Sequence, residues 1–233
     1  MPKPLLKTLW PANWLEQVAG DIDPLCLALR LSPRPAQAEA LLKYLDLLLH
    51  WNATYNLTAV RERPAILTHH LADCLAVVRP VARELPHGRV LDVGSGGGLP
   101  GVVLAIMLPA LEVTCVDTVG KKAAFVRQVA GTLQLQNLHA THARVESLAE
   151  APFDLITSRA FASLADFTQL SGPLLAPGGK WMAMKGKQPD AELAALPSAI
   201  DVFHVEPLTV PGLAAERCLV WMRLASQRVP AAS

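Results

Sequence analysis

A chain of 233 residues has room for one large domain, or one domain with an appendage, and not for three. Hydrophobic residues at 52% against 18% charged exclude a disordered chain and leave enough apolar surface for a core. Lys plus Arg number 21 and Asp plus Glu 20, and the net charge of +1 excludes a protein that holds nucleic acid by bulk charge alone. A local basic face is still allowed.

The opening MPKPLLKTLWPANWLEQ has no long apolar stretch and no small-residue cleavage site, so no secretory signal is expected. Ala36 to His50 carries apolar residues at 41, 42, 45, 48 and 49, one face of a 3.6-residue period, and predicts a helix. WNATYNLTAVRER then reads as polar and turn-rich, ending in Arg61 and Arg63. Pro64, a favoured first-turn residue, starts a second helix to about Val78 with Leu67, Leu71, Cys74, Leu75 and Val78 on one side.

Beyond His87-Gly88 the pattern changes to short β-type runs over 89–93, 111–117, 138–143, 153–158, 180–185, 201–205 and 218–224. Helical patterns separate the first five, the clearest over Val119 to Leu135. Strands alternating with helices predict an α/β fold with a mostly parallel sheet covered on both faces. The last two runs, joined near Pro207 and Pro211, predict an antiparallel hairpin at one sheet edge. The expected division is a helical N-terminal extension over 1–80, packed on a main domain over 81–233. The terminal VPAAS is expected to fray.

Cys26, Cys74, Cys115 and Cys218 are widely spaced with no C-x-x-C pair, which predicts reduced thiols and a cytoplasmic protein. Val93 to Leu111 is free of charge for nineteen residues, the length of a membrane span. Its five glycines and two prolines predict a buried strand, loop and helix instead.

The loop in that window, Gly94-Ser95-Gly96-Gly97-Gly98-Leu99-Pro100-Gly101, follows a strand and precedes a helix, where doubly wound sheets bind nucleotides. Gly96-x-Gly98-x-x-Gly101 matches the dinucleotide fingerprint. Asp92, expected at the mouth of the loop, would repel a pyrophosphate and welcome the ammonium and sulfonium of S-adenosylmethionine. Neither Tyr44 nor Tyr55 has a Lys four residues on, so the chain offers a dehydrogenase little help. Asp117, at the end of the second strand, suits the ribose hydroxyls of either ligand, or a helix N-cap.

The runs LDVGSGGGLPGVVLAI, VDTVGKKAAFVRQV, ARVE, SRAFASL and the strand ending MKGK, with YNLTAVRE and HHLADCLAV before them, resemble the bacterial small-subunit ribosomal RNA methyltransferase G family, also called the glucose-inhibited division protein B family. The likeness covers about Leu41 to Leu224. It implies a Rossmann-like class I S-adenosylmethionine-dependent methyltransferase that methylates N7 of a guanine in the 530 loop of 16S rRNA. It implies donor contacts by Gly94 and Leu99 in the loop, Val145 and Glu146 after the third strand and Arg159 after the fourth. Two positions depart from the family pattern: Cys74 stands where H-x-x-D-S-L has Ser, and Gly97 where Pro or Ala is common.

Guanine N7 has an exposed lone pair and no proton to lose, so alignment with methyl and sulfur suffices and no catalytic base is assigned. Ser158-Arg159-Ala160-Phe161 stands where exocyclic amine methylation would need Asp/Asn-Pro-Pro-aromatic, and no Pro-Cys pair supplies a nucleophile for pyrimidine C5. Arg159, always cationic, can contact donor, guanine O6 or phosphate, or form an ion pair with Glu146. Phe161 can stack on the target base or pack in the core.

From Gly120 to Lys187 eight basic residues face four acids, and with Arg61 and Arg63 they are expected to border one cleft. Arg61, Lys185 and Lys187 are the substrate candidates. His69, His70 and Asp73 lack further ligands at fixed spacing, so no metal is expected and helix-surface polarity is assigned to them. The expected partner is 16S rRNA or a small-subunit precursor, without a membrane, for a monomer. The alternatives are a methyltransferase on another RNA position or a small molecule, an NAD(P)-dependent enzyme, and a donor-binding protein without catalysis.

Overall fold

The computed structural model describes residues 9–225; the start of the opening segment and the terminal VPAAS lie outside them. Seven strands follow the sequence pattern: β1 (Gly88–Val93), β2 (Leu111–Asp117), β3 (Leu138–His142), β4 (Phe153–Ser158), β5 (Leu175–Lys185), β6 (Ile200–Leu208) and β7 (Arg217–Leu224). They form one sheet in the order β3-β2-β1-β4-β5-β7-β6. The first five pair in parallel, and β7 runs antiparallel to both β5 and β6. The expected hairpin is therefore present, with β7 inserted and β6 as the edge strand. Pro207 lies within β6, where an edge tolerates the missing N–H.

Alternation along the strands divides the core in two. Val90, Val113, Cys115, Met182 and Trp221 point to one face, and Leu91, Val116, Ile156, Trp181 and Val220 to the other. The helices α1 (Trp14–Val18), α2 (Asp23–Ala28), α3 (Pro35–Tyr55), α4 (Arg63–Ile66), α5 (Asp73–Leu75), α6 (Val78–Glu84), α7 (Gly101–Met107) and α8 (Gly120–Leu133) precede or interleave the first strands. Side chains from α3, α7 and α8 pack in the first cluster, and those of α9 (Leu164–Ser171) in the second. The Ser163 side chain caps α9, accepting the Asp166 N–H at 3.0 Å. A short helix, α10 (Asp190–Ala194), follows β5. Among the described residues no helix is long and apolar enough to cross a membrane.

Two helical expectations need correction. The first helix runs on through Trp51 and Tyr55, because the Trp51 ring packs on Phe125 of α8 with centroids 5.4 Å apart. It stops where Asn56 turns left-handed, at φ +49°. The second is broken: a π-helical turn over Leu67–Ala72 separates α4 from α5, and Val78 opens α6. A π turn carries extra residues per turn and re-aims the side chains that follow it.

α3 is also buried on more than one side, since Trp14, Ile22 and Cys26 of the preceding segment share its cluster. Tyr44, on a side the periodicity left out, donates its hydroxyl to the Gly97 carbonyl at 2.7 Å and so holds α3 to the glycine loop. Asp46, likewise buried, accepts the Trp14 indole N–H at 2.5 Å and the Trp10 indole N–H at 3.2 Å. Its counter-ion is Arg63, which also reaches Asp21 at 2.9 Å. A buried carboxylate needs a cation, and Arg63 is spent there rather than on the cleft border expected for it.

Tyr44→Phe is expected to lower the unfolding free energy by about 1–2 kcal/mol, the cost of leaving a buried acceptor unpaired. Urea denaturation measures it; an unchanged midpoint would show that water replaces the hydroxyl.

Candidate active site

β1 delivers the chain into the glycine loop at the carboxyl end of the sheet. The N–H groups of Gly94 and Ser95 both donate to the Val116 carbonyl of β2, at 2.9 and 3.2 Å. Gly94 has φ +68°, and a Cβ there would point into open space. Gly101 is required for the opposite reason: its Cβ would lie 2.5 Å from Cys115 Sγ and 2.9 Å from Asp92 Oδ2. That closeness lets the Gly101 N–H, at the start of α7, donate to Asp92 Oδ2 at 2.8 Å.

Asp92 is thus beneath the loop and fully buried, not at its mouth. The alternation of β1 sends it to the same helix-covered face as Val90. Its Oδ1 has no partner among the described residues. Burial pushes its carboxyl up to about 7, and the Gly101 N–H and the attraction of Arg159 only partly offset this.

Asp117 Oδ2 accepts the Gly96 N–H at 2.9 Å, and Oδ1 accepts the Val119 N–H at 2.8 Å. One carboxylate therefore clamps the loop and starts the turn into α8. Lys122 lies 3.8 Å away. Asp117 lines a cavity of about 430 Å³ with Gly94, Val119, Val145, Glu146 and Phe161. Apolar walls beside two acids, Asp117 and Glu146, and a bare backbone suit a nucleoside: base against the walls, ribose at an acid.

Of the other expected donor residues, Leu99 lies in the core with its N–H donated to the Ser95 carbonyl, and it is not among the residues lining this cavity. Arg159 lines a second cavity, of about 520 Å³, together with His70, Asp73, Lys185 and Arg217. Its ion-pair partner is Asp73, at 3.6 Å, rather than Glu146. Phe161 packs on Phe167 and lines the first cavity.

The basic residues of 120–187 do not form one face. Lys180 pairs with Glu84 at the end of α6, at 2.8 Å, and Arg127 donates to the Ala140 carbonyl. Lys185 is held by both oxygens of Glu192, at 3.0 and 2.8 Å. Lys187 is exposed, and exposed Arg61 donates to Asn56 at 2.9 Å. His70 and Asp73, expected as helix-surface polarity, are instead half-buried and buried at the second cavity. Burial and the adjacent Arg159 hold the His70 imidazole down at about 4, so it is neutral near pH 7. Arg217 carries no motif and was invisible in the sequence.

A sheet of this order, with a glycine loop after β1 and an acid ending β2 at one nucleoside-sized cavity, defines a class I S-adenosylmethionine-dependent methyltransferase. The fold is shared with TrmN from Thermus thermophilus (TM-score 0.54, 20% identity, 68% of this chain and 53% of that one). It is also shared with the Burkholderia thailandensis 1,6-didemethyltoxoflavin-N1-methyltransferase, solved with S-adenosylhomocysteine (TM-score 0.56, 16% identity, 79% and 90%). Residues 37–220 match the family described as rRNA small subunit methyltransferase G. The ribosomal RNA small subunit methyltransferase G of Acidovorax sp. (strain JS42) is 59% identical over 206 residues, 84% of this chain and 91% of that one. That of Leptothrix cholodnii is 60% identical over 189 residues, covering 80% and 87%. The chain belongs to the rRNA small subunit methyltransferase G family. The dinucleotide alternative for the same loop is thereby set aside.

The residues present fit the donor. Asp92 Oδ1 is an unpaired buried acceptor under the loop, and the space above Gly94 is one that a side chain would fill.

Gly94→Val is expected to abolish S-adenosylhomocysteine binding in calorimetry while the protein stays folded, because the added atoms enter the cavity rather than the core and the strain of a side chain at φ +68° costs about 1–3 kcal/mol. Undiminished affinity would refute the loop's role. Asp92 predicts a pH effect of definite sign. Its folded value of about 7 lies above the ordinary 3.8, so the folded state retains a proton that the unfolded chain has released. The stability this contributes is present near pH 4, falls as pH rises towards 7, and is flat above. Measured against Asp92→Asn by urea unfolding, the unaltered protein is expected to lose ground across that window; parallel pH profiles would contradict the assignment.

Proposed function

We propose that the protein transfers the methyl group of S-adenosylmethionine to N7 of a guanine in the 530 loop of 16S rRNA, free or within a small-subunit precursor, in the cytoplasm. The observation that carries this is the family match over residues 37–220, with relatives near 60% identity named for the small-subunit ribosomal RNA. It is proposed to act as a monomer. Helices up to Glu84, before the first strand at Gly88, support a helical extension over 1–80 ahead of a donor-binding domain over 81–233.

When bound, the donor supplies a methyl group on a sulfonium, already electrophilic. The chain's own residues have to bind, orient and exclude water. Gly94, Asp117, Val145 and Glu146 are the proposed donor contacts in the first cavity, with Leu99 supporting the loop from below. Arg159 lines the second cavity while its neighbours Ala160 and Phe161 line the first, and the acceptor would approach through the second.

Apart from the exposed His69, the groups at the second cavity favour an acceptor that needs no deprotonation. Arg159 and Arg217 cannot take up a proton. The two ring nitrogens of His70 are occupied, Nδ1 by Arg159 at 3.1 Å and Nε2 by Thr58 Oγ1 at 2.5 Å. Asp73 is held between the two arginines. Purine N7 meets that condition, and exocyclic amines do not. Arg61 and Lys187 are proposed to meet the flanking RNA; Lys185, already paired with Glu192, supports the cavity wall.

The test is incubation with methyl-labelled donor and small ribosomal subunits from cells lacking the enzyme. Label is expected in 16S rRNA at one guanine of the 530 loop, and that guanine should become sensitive to borohydride and aniline. Label on an exocyclic nitrogen or on another RNA would overturn the assignment.

A further inference from the structure

The second cavity contains a charge arrangement that donor binding does not use. Asp73 begins α5, just past the π turn, and is 3% exposed. Its Oδ1 accepts from Arg217 Nε at 3.1 Å, and its Oδ2 lies 3.6 Å from Arg159 Nη1. Arg217 comes from the first position of β7 and Arg159 from the end of β4, so helix, hairpin and sheet converge on one carboxylate. Arg217 Nη1 is further fixed by the Glu216 carbonyl at 2.8 Å. Among the described residues, Arg159 Nε and Nη2 and Arg217 Nη2 have no acceptor.

The charges here do not cancel. Two guanidinium groups share one carboxylate, Lys185 is neutralised by Glu192, and His70 is uncharged near neutral pH. One positive charge is left in a concave, partly desolvated site, with about a quarter of each arginine side chain exposed. Surplus charge with unused, forked donors is suited to an oxyanion. Val60 and Met184, also on the wall, offer apolar surface for what the anion is attached to.

We propose that Arg217, together with Arg159, seats the backbone phosphate of the nucleotide being methylated, with Asp73 as the positioning residue that sets both forks. The inference rests on the RNA methyltransferase reading and adds how its substrate is gripped. Base recognition by the same arginines is disfavoured by the chemistry. The usual arginine contact with guanine takes O6 and N7 together. A donor on N7 would occupy the lone pair that must attack the methyl group. Holding the phosphate leaves that edge bare and still limits the angles at which N7 can approach.

The experiment uses the whole protein, small ribosomal subunits from cells lacking it, and the variants Arg217→Ala and Arg217→Gln. The glutamine variant keeps a donor for Asp73 and removes the charge, which covers the case in which alanine loosens the fold. Calorimetry with S-adenosylhomocysteine reports that the donor site is intact, and should show unchanged affinity. The slope of log kcat/KM against log salt is expected to become shallower by about 0.7, the value for one single-strand phosphate. KM should rise roughly tenfold or more, the scale of one charge-assisted contact, with a smaller change in kcat. A variant that binds S-adenosylhomocysteine normally but keeps the wild-type salt slope would overturn the phosphate seat. Failure of the unaltered enzyme to methylate RNA would instead overturn the reading beneath it, and is seen separately.

Discussion

The hydrogen bond from the Gly101 N–H to the buried Asp92 carboxylate is the contact on which the arrangement of the site depends. It joins the end of β1 to the first turn of α7 across a loop that must stay bare of side chains to serve a ligand. The bond exists only because residue 101 has no Cβ; any other residue would collide with Cys115 and with Asp92 itself. From that anchor the loop is pinned at three further points: by Val116 under Gly94 and Ser95, by Asp117 on Gly96, and by Tyr44 on Gly97. A loop rich in glycine is costly to order, and these bonds offset that cost before a ligand arrives. The binding surface is thus held in place by secondary structure, in keeping with a mechanism that relies on alignment.

Buried carboxylates recur as organising points, each with a different partner. Asp46 collects two indole N–H groups and Arg63, and so ties the N-terminal helices to α3. Asp73 collects Arg159 and Arg217 and joins the helical segment to the far side of the sheet. Asp92 has one backbone N–H and an oxygen left without a partner. The first two are compensated by cations, and the third is only partly compensated. Ionisation is costly at Asp92, which is the one of the three that lies under the donor loop.

Most of the fold was legible because it is written in local periods. Short β-type runs located all seven strands, with β5 starting five residues earlier than expected and the other ends within three, and the β–α succession implied a parallel sheet. The glycine loop and Asp117 were legible for a related reason: backbone conformation and strand ends leave residue types at short, fixed spacings. The π turn was not, since a helix with one widened turn has nearly the same apolar spacing as a regular one. The extent of α3 was underestimated because Trp51 packs on α8 and Tyr55 on Trp51, which periodicity cannot register.

Charge was the least legible quantity. A count of basic residues over 120–187 suggested one cleft, yet Lys180 and Lys185 are consumed by Glu84 and Glu192, and Arg63 by Asp21 and Asp46. A side chain's charge is a property of its composition, but the field it exerts depends on which acids the fold brings within a few ångströms. The sequence by itself determined the layered sheet and the ligand loop, which rest on short-range spacing, and its motif runs carried the resemblance to the family. Tertiary structure alone decided that Asp92 lies under the loop and that Asp73 meets arginines at positions 159 and 217. Those facts depend on contacts between segments up to 144 residues apart, a distance over which no local pattern carries information.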